Sequence, residues 1–329
     1  MNSLSSASQV ASKLPSWLVK PILVSWANRA VGQSLSREHL ERVAESFELV
    51  LDGASARAEQ LLRAYRRQQV LAGAETVYAG LKTSTLTAQT GVRLNGGGGA
   101  ELTLGTYCRI AGLEHIVAAL SARRGVIIAP FHFASFAIWP GILGLIAALL
   151  GHRVHVVVNE EGQQTALLLR QNGHSVWDQV ELLAGNQIQI GVAAGRALLR
   201  HDLLCLYAEV NTATWAGGAM AAVAEGQAEG VKGIPVTAFG GTIRFPGGIG
   251  VLAERLDVPV LPAHLVRERP FRLHGRIARP IPPGTRVEVT QQLASYFEKT
   301  LLAFPDQWHL WPFLPLMLQD GGQQLATDR

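Results

Sequence analysis

The stretch Gly125-Val-Ile-Ile-Ala-Pro-Phe-His132-Phe-Ala-Ser135-Phe decides how we expect this chain to fold. Its first five residues have the composition of a β-strand that is buried on both faces, and it ends just before a predicted helix. Open α/β sheets place reacting groups at the carboxyl ends of such strands. His132 is therefore a candidate functional residue, and a histidine that only satisfies a loop carbonyl is the alternative interpretation.

Three more apolar runs share this texture and lie at 154–158, 203–208 and 258–264. They alternate with helical patterns, of which the clearest cover residues 187–200, 250–256 and 287–302. Strands that alternate with helices in this way predict an α/β fold with a central, mostly parallel or mixed sheet covered by helices. We expect this domain to span residues 101–318.

Residues 1–100 are predicted to form an α-helical section that ends in a glycine-rich loop. Ser36 is placed to cap a first amphipathic helix, and a second helical pattern extends from about residue 54 toward residue 81. Residues 82–99 are rich in Thr and Gly, which favours a loop or soft boundary. The polar residues 319–329 predict a disordered tail.

The composition excludes several classes of protein. The 329 residues are 48% hydrophobic and 16% charged, so the chain can bury a large core. Cys108 and Cys205 are the only cysteines and match no metal or redox spacing, which predicts reduced thiols, a cytoplasmic location and no metal site. The net charge is +4 and the sequence contains no long basic run, so we expect no nucleic-acid partner. It contains no P-loop and no G-x-S-x-G motif, and we expect no cofactor.

The N-terminal apolar stretch over residues 14–31 is interrupted by Lys20 and Pro21, and we expect no transmembrane helix there. Trp17 and Trp26 lie among Leu and Val residues, a pattern typical of segments that lie in a membrane interface. Peripheral contact with the inner membrane through this segment is one interpretation. The other is a helix that docks on its own domain.

Four blocks of the chain resemble one known family when they are read in order. They are Ala129-Pro-Phe-His132-Phe-Ala-Ser-Phe, Pro235-Val-Thr-Ala-Phe-Gly240, the glycine-rich segment from Gly247 to Pro262, and Pro305-Asp-Gln-Trp308. Together, over residues 36–315, they are similar to the lysophospholipid acyltransferase superfamily, and within it to the bacterial lipid A late acyltransferases of the lauroyl/myristoyl type. The resemblance implies a glycerolipid acyltransferase-like fold.

The activity that the resemblance implies is transfer of an acyl group from a thioester to a hydroxyl or amine. The donor is an acyl carrier protein or acyl-coenzyme A, and the acceptor is a small molecule, a carrier-tethered molecule or a lipid. We expect a biosynthetic pathway other than ordinary lipid A assembly. The alternatives are a non-catalytic acyl- or carrier-binding protein of the same fold and a hydrolase of the same thioesters.

The resemblance assigns His132 as the general base, but the family motif H-x4-D/E is incomplete. Ala137 stands where the family has a carboxylate, which normally fixes the tautomer and orientation of the imidazole. Glu209 is the candidate substitute, because it follows a predicted strand whose end would lie at the same sheet edge as His132. Glu160 and Glu161 come next. The alternatives for Glu209 are the usual local role of an acidic residue that the family often has near this position, and a solvated carboxylate without a role.

Four other residues are candidates for substrate binding. Arg170 lies where the family has an Arg before a Gly, so it is predicted to bind an anionic group or stabilise the oxyanion, unless it is an outward-facing helix residue. Ser135, three residues after His132, is predicted to bind substrate. An apolar groove for a fatty chain is predicted to be lined by the aromatic residues around His132, which are Phe131, Phe133, Phe136 and Trp139. For the aromatic residues, burial in the core is the alternative.

Overall fold

The structure is a computed structural model that describes residues 19–21, 23–25, 35–51, 54–95, 99–159, 162–164, 166, 170, 175–209 and 233–318. Its longer helices are α1 (Arg37–Val50), α2 (Ala54–Ala88), α3 (Leu113–Ser121), α4 (Trp139–Leu150), α5 (Gln187–Leu199), α6 (Gly248–Leu256), α7 (Arg286–Ala303) and α8 (Leu314–Leu318). Single 3-10 turns cover Phe136–Ile138, Ser175–Gln179, Pro305–Gln307 and Trp311–Phe313.

Eleven strands occur in the described residues. They are β1 (Thr90–Asn95), β2 (Gly99–Leu104), β3 (Cys108–Ala111), β4 (Val126–Pro130), β5 (Val154–Val157), β6 (Val180–Leu183), β7 (Leu203–Cys205), β8 (Ile234–Ala238), β9 (Gly241–Phe245), β10 (Val260–Arg269) and β11 (Arg272–Ile277). Nine of them form one sheet in the order β1-β2-β3-β11-β10-β4-β7-β5-β6, and β8 and β9 form a separate hairpin. The strands from β10 to β6 are all parallel, so the predicted α/β class is confirmed.

Strand β4 lies near the middle of the sheet and divides the core into two layers. Val126 and Ile128 pack on the face that carries α3 and α4, whereas Ile127 and Ala129 pack on the face that carries α5, α6 and α7. Every residue of β4 is buried, as its apolar composition predicts for a strand covered on both sides. Gly125 precedes it because a Cβ atom there would lie 2.3 Å from the carbonyl oxygen of Leu198 on α5.

The predicted helices occur with small shifts at their ends. The hydroxyl of Ser36 accepts a hydrogen bond from the backbone N–H of His39 at 3.1 Å and caps α1. Helices α5 and α7 each begin with a capping box. The strand predicted at 203–208 is regular only over Leu203–Cys205, although the N–H groups of Leu206 and Ala208 still donate to carbonyl oxygens of β4 at 3.1 and 3.0 Å.

The predicted loop over residues 82–99 is wrong for residues 82–95, and residues 96–98 lie outside the described residues. Helix α2 continues to Ala88, and β1 follows at once and pairs antiparallel with β2. The composition favoured a loop because Thr and Gly are weak helix formers, but pairing with β2 gives the backbone of Thr90–Asn95 its hydrogen bonds. The section boundary predicted at residue 100 falls inside β2.

Of the N-terminal segment, the described residues 19–21 and 23–25 are helical. Val19 and Leu23 are buried against the core layer on the α3 and α4 face, which favours docking on the chain's own domain. Trp17, Trp26 and the tail at 319–329 lie outside the described residues. None of the helices in the described part of the chain combines the length and apolarity needed to cross a membrane.

Candidate active site

Two neighbouring parallel strands, β4 and β7, deliver His132 and Glu209 to the same edge of the sheet. From β4 the chain moves to β5 on one side, and from β7 it returns to β10 on the other side. Such a reversal leaves a crevice at the carboxyl ends of the strands, where open α/β sheets bind ligands. The site therefore lies where the topology itself favours one.

Oxygen Oε1 of Glu209 makes three hydrogen bonds, two of them to His132. It lies 3.0 Å from His132 Nδ1, accepts the backbone N–H of His132 at 2.6 Å and accepts the indole N–H of Trp308 at 3.3 Å. Both His132 and Glu209 are buried. The other oxygen, Oε2, is buried without a hydrogen-bond partner among the described residues, so it remains an acceptor for a bound donor group.

Two aromatic rings enclose the imidazole of His132. The ring centroids of Phe136 and Tyr207 lie 4.5 Å and 4.3 Å from that of His132. The Tyr207 hydroxyl donates to the carbonyl oxygen of Phe136 at 2.8 Å, which ties the two walls together. Burial, reinforced by the charge of Glu209, raises the pKa of Tyr207 well above its ordinary value, so its phenol is neutral at physiological pH.

The turn that carries His132 is clamped by the C-terminal segment. Phe133 forms a β-bridge with Trp308, and the backbone N–H of His309 donates to the carbonyl oxygen of His132 at 2.9 Å. Ala134 has a φ of 45°, a left-handed conformation that is strained for a residue with a Cβ atom. Its N–H donates to the carbonyl oxygen of Gln307 at 2.9 Å, so the strain is held by tertiary contacts.

A second histidine, His309, supports the turn as a neutral donor. Its Nε2 lies 2.5 Å from the carbonyl oxygen of Ala134. Burial lowers the pKa of His309 to about 3, with a smaller contribution from the charge of Arg267, although the hydrogen bond to Ala134 acts in the opposite direction. At neutral pH the ring is uncharged and donates from Nε2.

A buried ion pair lies behind the turn and joins it to α2 and β10. Arg267 donates to the carboxylate of Glu75 from Nε at 2.8 Å and from Nη2 at 2.7 Å, and the two side chains are 2% and 0% exposed. The hydroxyl of Ser135 donates to the same carboxylate. The backbone N–H of Phe271 donates to it at 2.8 Å, so every lone pair faces a donor.

An apolar groove of about 630 Å³ lies between α5 and α6, beside the aromatic walls. Its lining includes Tyr207 together with Val157, Ile188, Val192, Leu206 and Leu252. Ile188 and Val192 stand at its rim with 78% and 49% of their surface exposed. A single charged side chain, that of Arg255, contributes to the lining that the described residues form.

The predicted site residues divide into those that meet His132 and those that do not. Glu209 contacts it. Ser135 is buried and donates its hydroxyl to Glu75, so it belongs to the ion pair behind the turn and not to a substrate-binding surface as predicted. Phe133 and Trp139 are 0% exposed, which makes them core residues and not groove residues as predicted. Phe133 faces inward because it pairs with Trp308 of the C-terminal segment, and Trp139 is buried at the start of α4.

Arg170 is exposed, and no contact of it with His132 or Glu209 occurs among the described residues. Its exposure fits the outward-facing alternative. Ala137 lies half-buried in the 3-10 turn after His132. Glu160 and Glu161 lie outside the described residues.

Sequence reasoning missed Glu75 and Arg267 as site residues. Glu75 lies four residues after Leu71 on a buried face of α2, and Arg267 lies two residues after Leu265 in β10. A charge on an otherwise apolar face is the signal that predicts a buried pair. It does not tell which partners meet, because these two residues are 192 positions apart.

The comparisons with known proteins leave the resemblance untested. No protein-family model matches the chain, and no curated protein matches it. The described residues contain no group of three or more His, Cys, Asp or Glu side chains that could hold a metal ion. The site is therefore characterised by its own geometry.

Proposed function

We propose that this protein is an acyltransferase that moves an acyl group from a thioester of an acyl carrier protein or coenzyme A to a hydroxyl or amine. His132 is the general base, and Glu209 orients it. The observation that carries the proposal is the contact of 3.0 Å between His132 Nδ1 and Glu209 Oε1 at the carboxyl ends of β4 and β7.

The tautomer of His132 follows from its contact with the Glu209 carboxylate. Because a carboxylate only accepts, Nδ1 carries the proton and donates it to Oε1, which makes Nε2 the basic nitrogen of the neutral ring. Nε2 takes the proton of the acceptor as its oxygen or nitrogen attacks the thioester carbon, and the thiol leaves. The charge of Glu209 stabilises the imidazolium that forms.

The apolar groove supports an acyl substrate over a fully polar one. Tyr207 belongs to both the groove lining and the wall of His132, so a chain whose thioester lies at His132 can continue directly into the groove. Burying one methylene group contributes about 0.8 kcal/mol, so several carbons there would contribute substantially to binding. We assign the groove to the acyl chain of the donor.

The test measures thiol release from a panel of acyl-carrier and acyl-coenzyme A thioesters, with and without pooled amines and alcohols. Wild type and His132→Gln are compared, and the folding of both is checked by thermal melting. We expect acceptor-dependent release by wild type and a loss on the order of 10²- to 10⁴-fold in the variant.

The products separate the proposal from its alternatives. Release that does not need an acceptor and yields the free acid would indicate a thioester hydrolase. Saturable binding of the thioester by folded wild type, with no release in any combination, would favour a binding protein. Equal rates in wild type and His132→Gln would overturn the role of His132.

A further inference from the structure

A second pocket, of about 890 Å³, lies beneath the turn that joins β10 to β11, next to the helical residues of the N-terminal segment. Its polar lining consists of Lys20, Ser25, Thr106, Arg269 and Arg272, and Phe271 contributes an apolar wall. Nothing in the proposed acyl transfer uses these residues. The pocket therefore needs an explanation of its own.

Two cations, Lys20 and Arg269, line this pocket together, and no carboxylate is among the described residues that line it. Burial, and then the charge of Arg269, lowers the pKa of Lys20, whose ammonium nitrogen lies 5.0 Å from the ring centroid of Tyr78. Neither Lys20 nor Arg269 forms an ion pair with any residue that the structure describes. Lys20 is half-buried and Arg269 is exposed at the mouth of the pocket. Two like charges on one pocket repel each other, and a bound anion relieves that repulsion.

The surrounding sequence supplies no obvious counter-charge. Residues 1–37 contain no Asp and no Glu, so the rest of the N-terminal segment cannot contribute a carboxylate to Lys20. The nearest acidic side chain in the turn, Glu268, lies 3.1 Å from Arg272 and 2.8 Å from Arg109, which share its charge. The excess of positive charge at Lys20 and Arg269 is thus built into the described structure.

The pocket lies on the same edge of the sheet as His132. Arg269 ends β10, which is parallel to β4, and His132 follows the end of β4. Phe271, in the pocket wall, donates its backbone N–H to Glu75, and Glu75 accepts the hydroxyl of Ser135 in the His132 turn. The buried Glu75–Arg267 pair therefore links the two places.

We propose that this pocket binds a phosphate group. The planar guanidinium of Arg269 can donate two hydrogen bonds to phosphate oxygens, and the ammonium of Lys20 adds a point charge. The hydroxyls of Ser25 and Thr106 supply further donors, while Phe271 contacts the apolar part of the molecule that carries the phosphate. The inference goes beyond the proposed acyl transfer and does not depend on it.

Three sources share this chemistry: a soluble phosphoester such as that of coenzyme A, a phospholipid headgroup and inorganic phosphate. Titration calorimetry with inorganic phosphate and with coenzyme A measures the soluble sources. Co-sedimentation with phosphatidylglycerol vesicles, against phosphatidylcholine vesicles of equal concentration, measures the lipid headgroup. All three probes are applied to the full chain at low and at physiological salt.

The variants are Arg269→Gln and Lys20→Gln, with Arg279→Gln as the matched control. Arg279 is exposed and follows β11 at the opposite edge of the sheet, so the control loses the same charge away from the pocket. We expect the dissociation constant of at least one probe to rise by about tenfold or more in both pocket variants. It should stay near the wild-type value in the control.

The identity of the probe that shows this loss assigns the source of the phosphate. Retained binding in His132→Gln would also support the proposal, because a failure of acyl transfer would then leave the pocket unaffected. Equal affinities in all variants, or an equal loss in Arg279→Gln, would overturn it. So would the absence of saturable binding of every probe to wild-type protein whose thermal melting shows that it is folded.

Discussion

Two buried histidines of this protein contact carboxylates across neighbouring strands, one at each end of β7. His132 contacts Glu209, which follows β7, and His155 contacts Asp202, which precedes it, at 3.0 Å and 3.1 Å. The two pairs differ in which ring nitrogens are used. His155 has Asp202 at Nε2 and Glu181 at Nδ1, 3.2 Å away, whereas the carboxylate at His132 lies at Nδ1.

This difference teaches that a contact between His and a carboxylate does not by itself make a catalytic base. A ring with a carboxylate at both nitrogens is held as a structural cross-link, because neither nitrogen is placed to take a proton from a substrate. At His132 the carboxylate lies at Nδ1, so Nε2 is the basic nitrogen of the ring. The place in the sheet agrees, since β7 ends at the His132 side.

Exchanging each histidine for Gln tests the comparison most strongly. His132→Gln should lower the acyl-transfer rate on the order of 10²- to 10⁴-fold, because it removes the base, and should leave most of the stability. His155→Gln should lower the free energy of unfolding by about 2 kcal/mol, because buried polar groups lose partners, with little change in rate at a temperature where the protein is folded. Urea unfolding and thiol release measure the two effects.

The comparison fails if the two variants exchange their phenotypes. A His155→Gln enzyme that folds normally and has lost its activity would place chemistry at the wrong end of β7. A His132→Gln protein that is strongly destabilised and, when folded, fully active would make His132 the structural member of the two.

The carboxylates give the next effect. In Glu209→Gln the amide oxygen should stay toward His132, because the backbone N–H of His132 and the indole N–H of Trp308 both donate to that position. The tautomer is then kept and only the charge is lost, so we expect a roughly 10- to 10²-fold lower rate. Asp202→Asn is the matched control and should leave the rate unchanged. A rate equal to wild type in Glu209→Gln would contradict the orienting role.

The sequence predicted which strand ends meet but not how the side chains between them are satisfied. The buried runs and the capping residue Ser36 are local signals, because hydrophobic period and side-chain caps act within a few residues. From them the α/β class and the approach of Glu209 to His132 could be anticipated. The loop predicted at 82–99 failed because pairing of β1 with β2 outweighs weak local propensity.

The contacts that could not be predicted are those between distant segments. The clamp on His132 comes from residues 307–309, and Arg267 meets Glu75 across most of the chain. Whether Phe133 lines a groove or fills the core depends on that clamp. The local sequence around Phe133 is the same in both cases, so tertiary packing alone decides whether its side chain lines a groove or fills the core.

Acid should weaken the His132 region through His309, whose described contacts include no carboxylate. The pKa of His309 is about 3 in the folded protein, against an ordinary value of 6.5. Between these pH values the unfolded chain binds a proton at His309 and the folded protein does not. The free energy of unfolding is therefore unaffected by His309 above about pH 6.5. It decreases as the pH falls toward 3, by up to about 1.4 kcal/mol per pH unit. Urea unfolding at pH 7 and pH 5 measures the slope.

His309→Gln keeps an amide donor for the carbonyl oxygen of Ala134 but cannot titrate. The slope of its unfolding free energy against pH between these values should be smaller than that of wild type. Two parallel lines would show that His309 titrates at its ordinary pKa in the folded protein. The buried His264, whose pKa burial lowers to about 4, contributes equally to both proteins and cancels in the difference.

We expect the smallest effects from glycine substitutions at two strained backbone positions, one near each end of β7. Each has a left-handed residue with a Cβ atom: Ala134 with φ 45° in the His132 turn, and the exposed His201 with φ 64° just before Asp202. Glycine relieves about 1–2 kcal/mol of strain at such a position but loses up to about 1 kcal/mol of unfolded-state entropy, so each exchange should stabilise by roughly 0.5–1 kcal/mol.

Only the rate should distinguish these two variants. His201→Gly ends α5 with a residue suited to its last turn, away from the site, so its rate should equal that of wild type. Ala134→Gly loosens the turn that holds His132, so we expect a rate lower by a few fold despite equal or greater stability, because a freer imidazole spends less time oriented toward the thioester. A stabilised Ala134→Gly with an unchanged rate would mean that Glu209 alone fixes His132, and the strain in the turn would then have no part in its orientation.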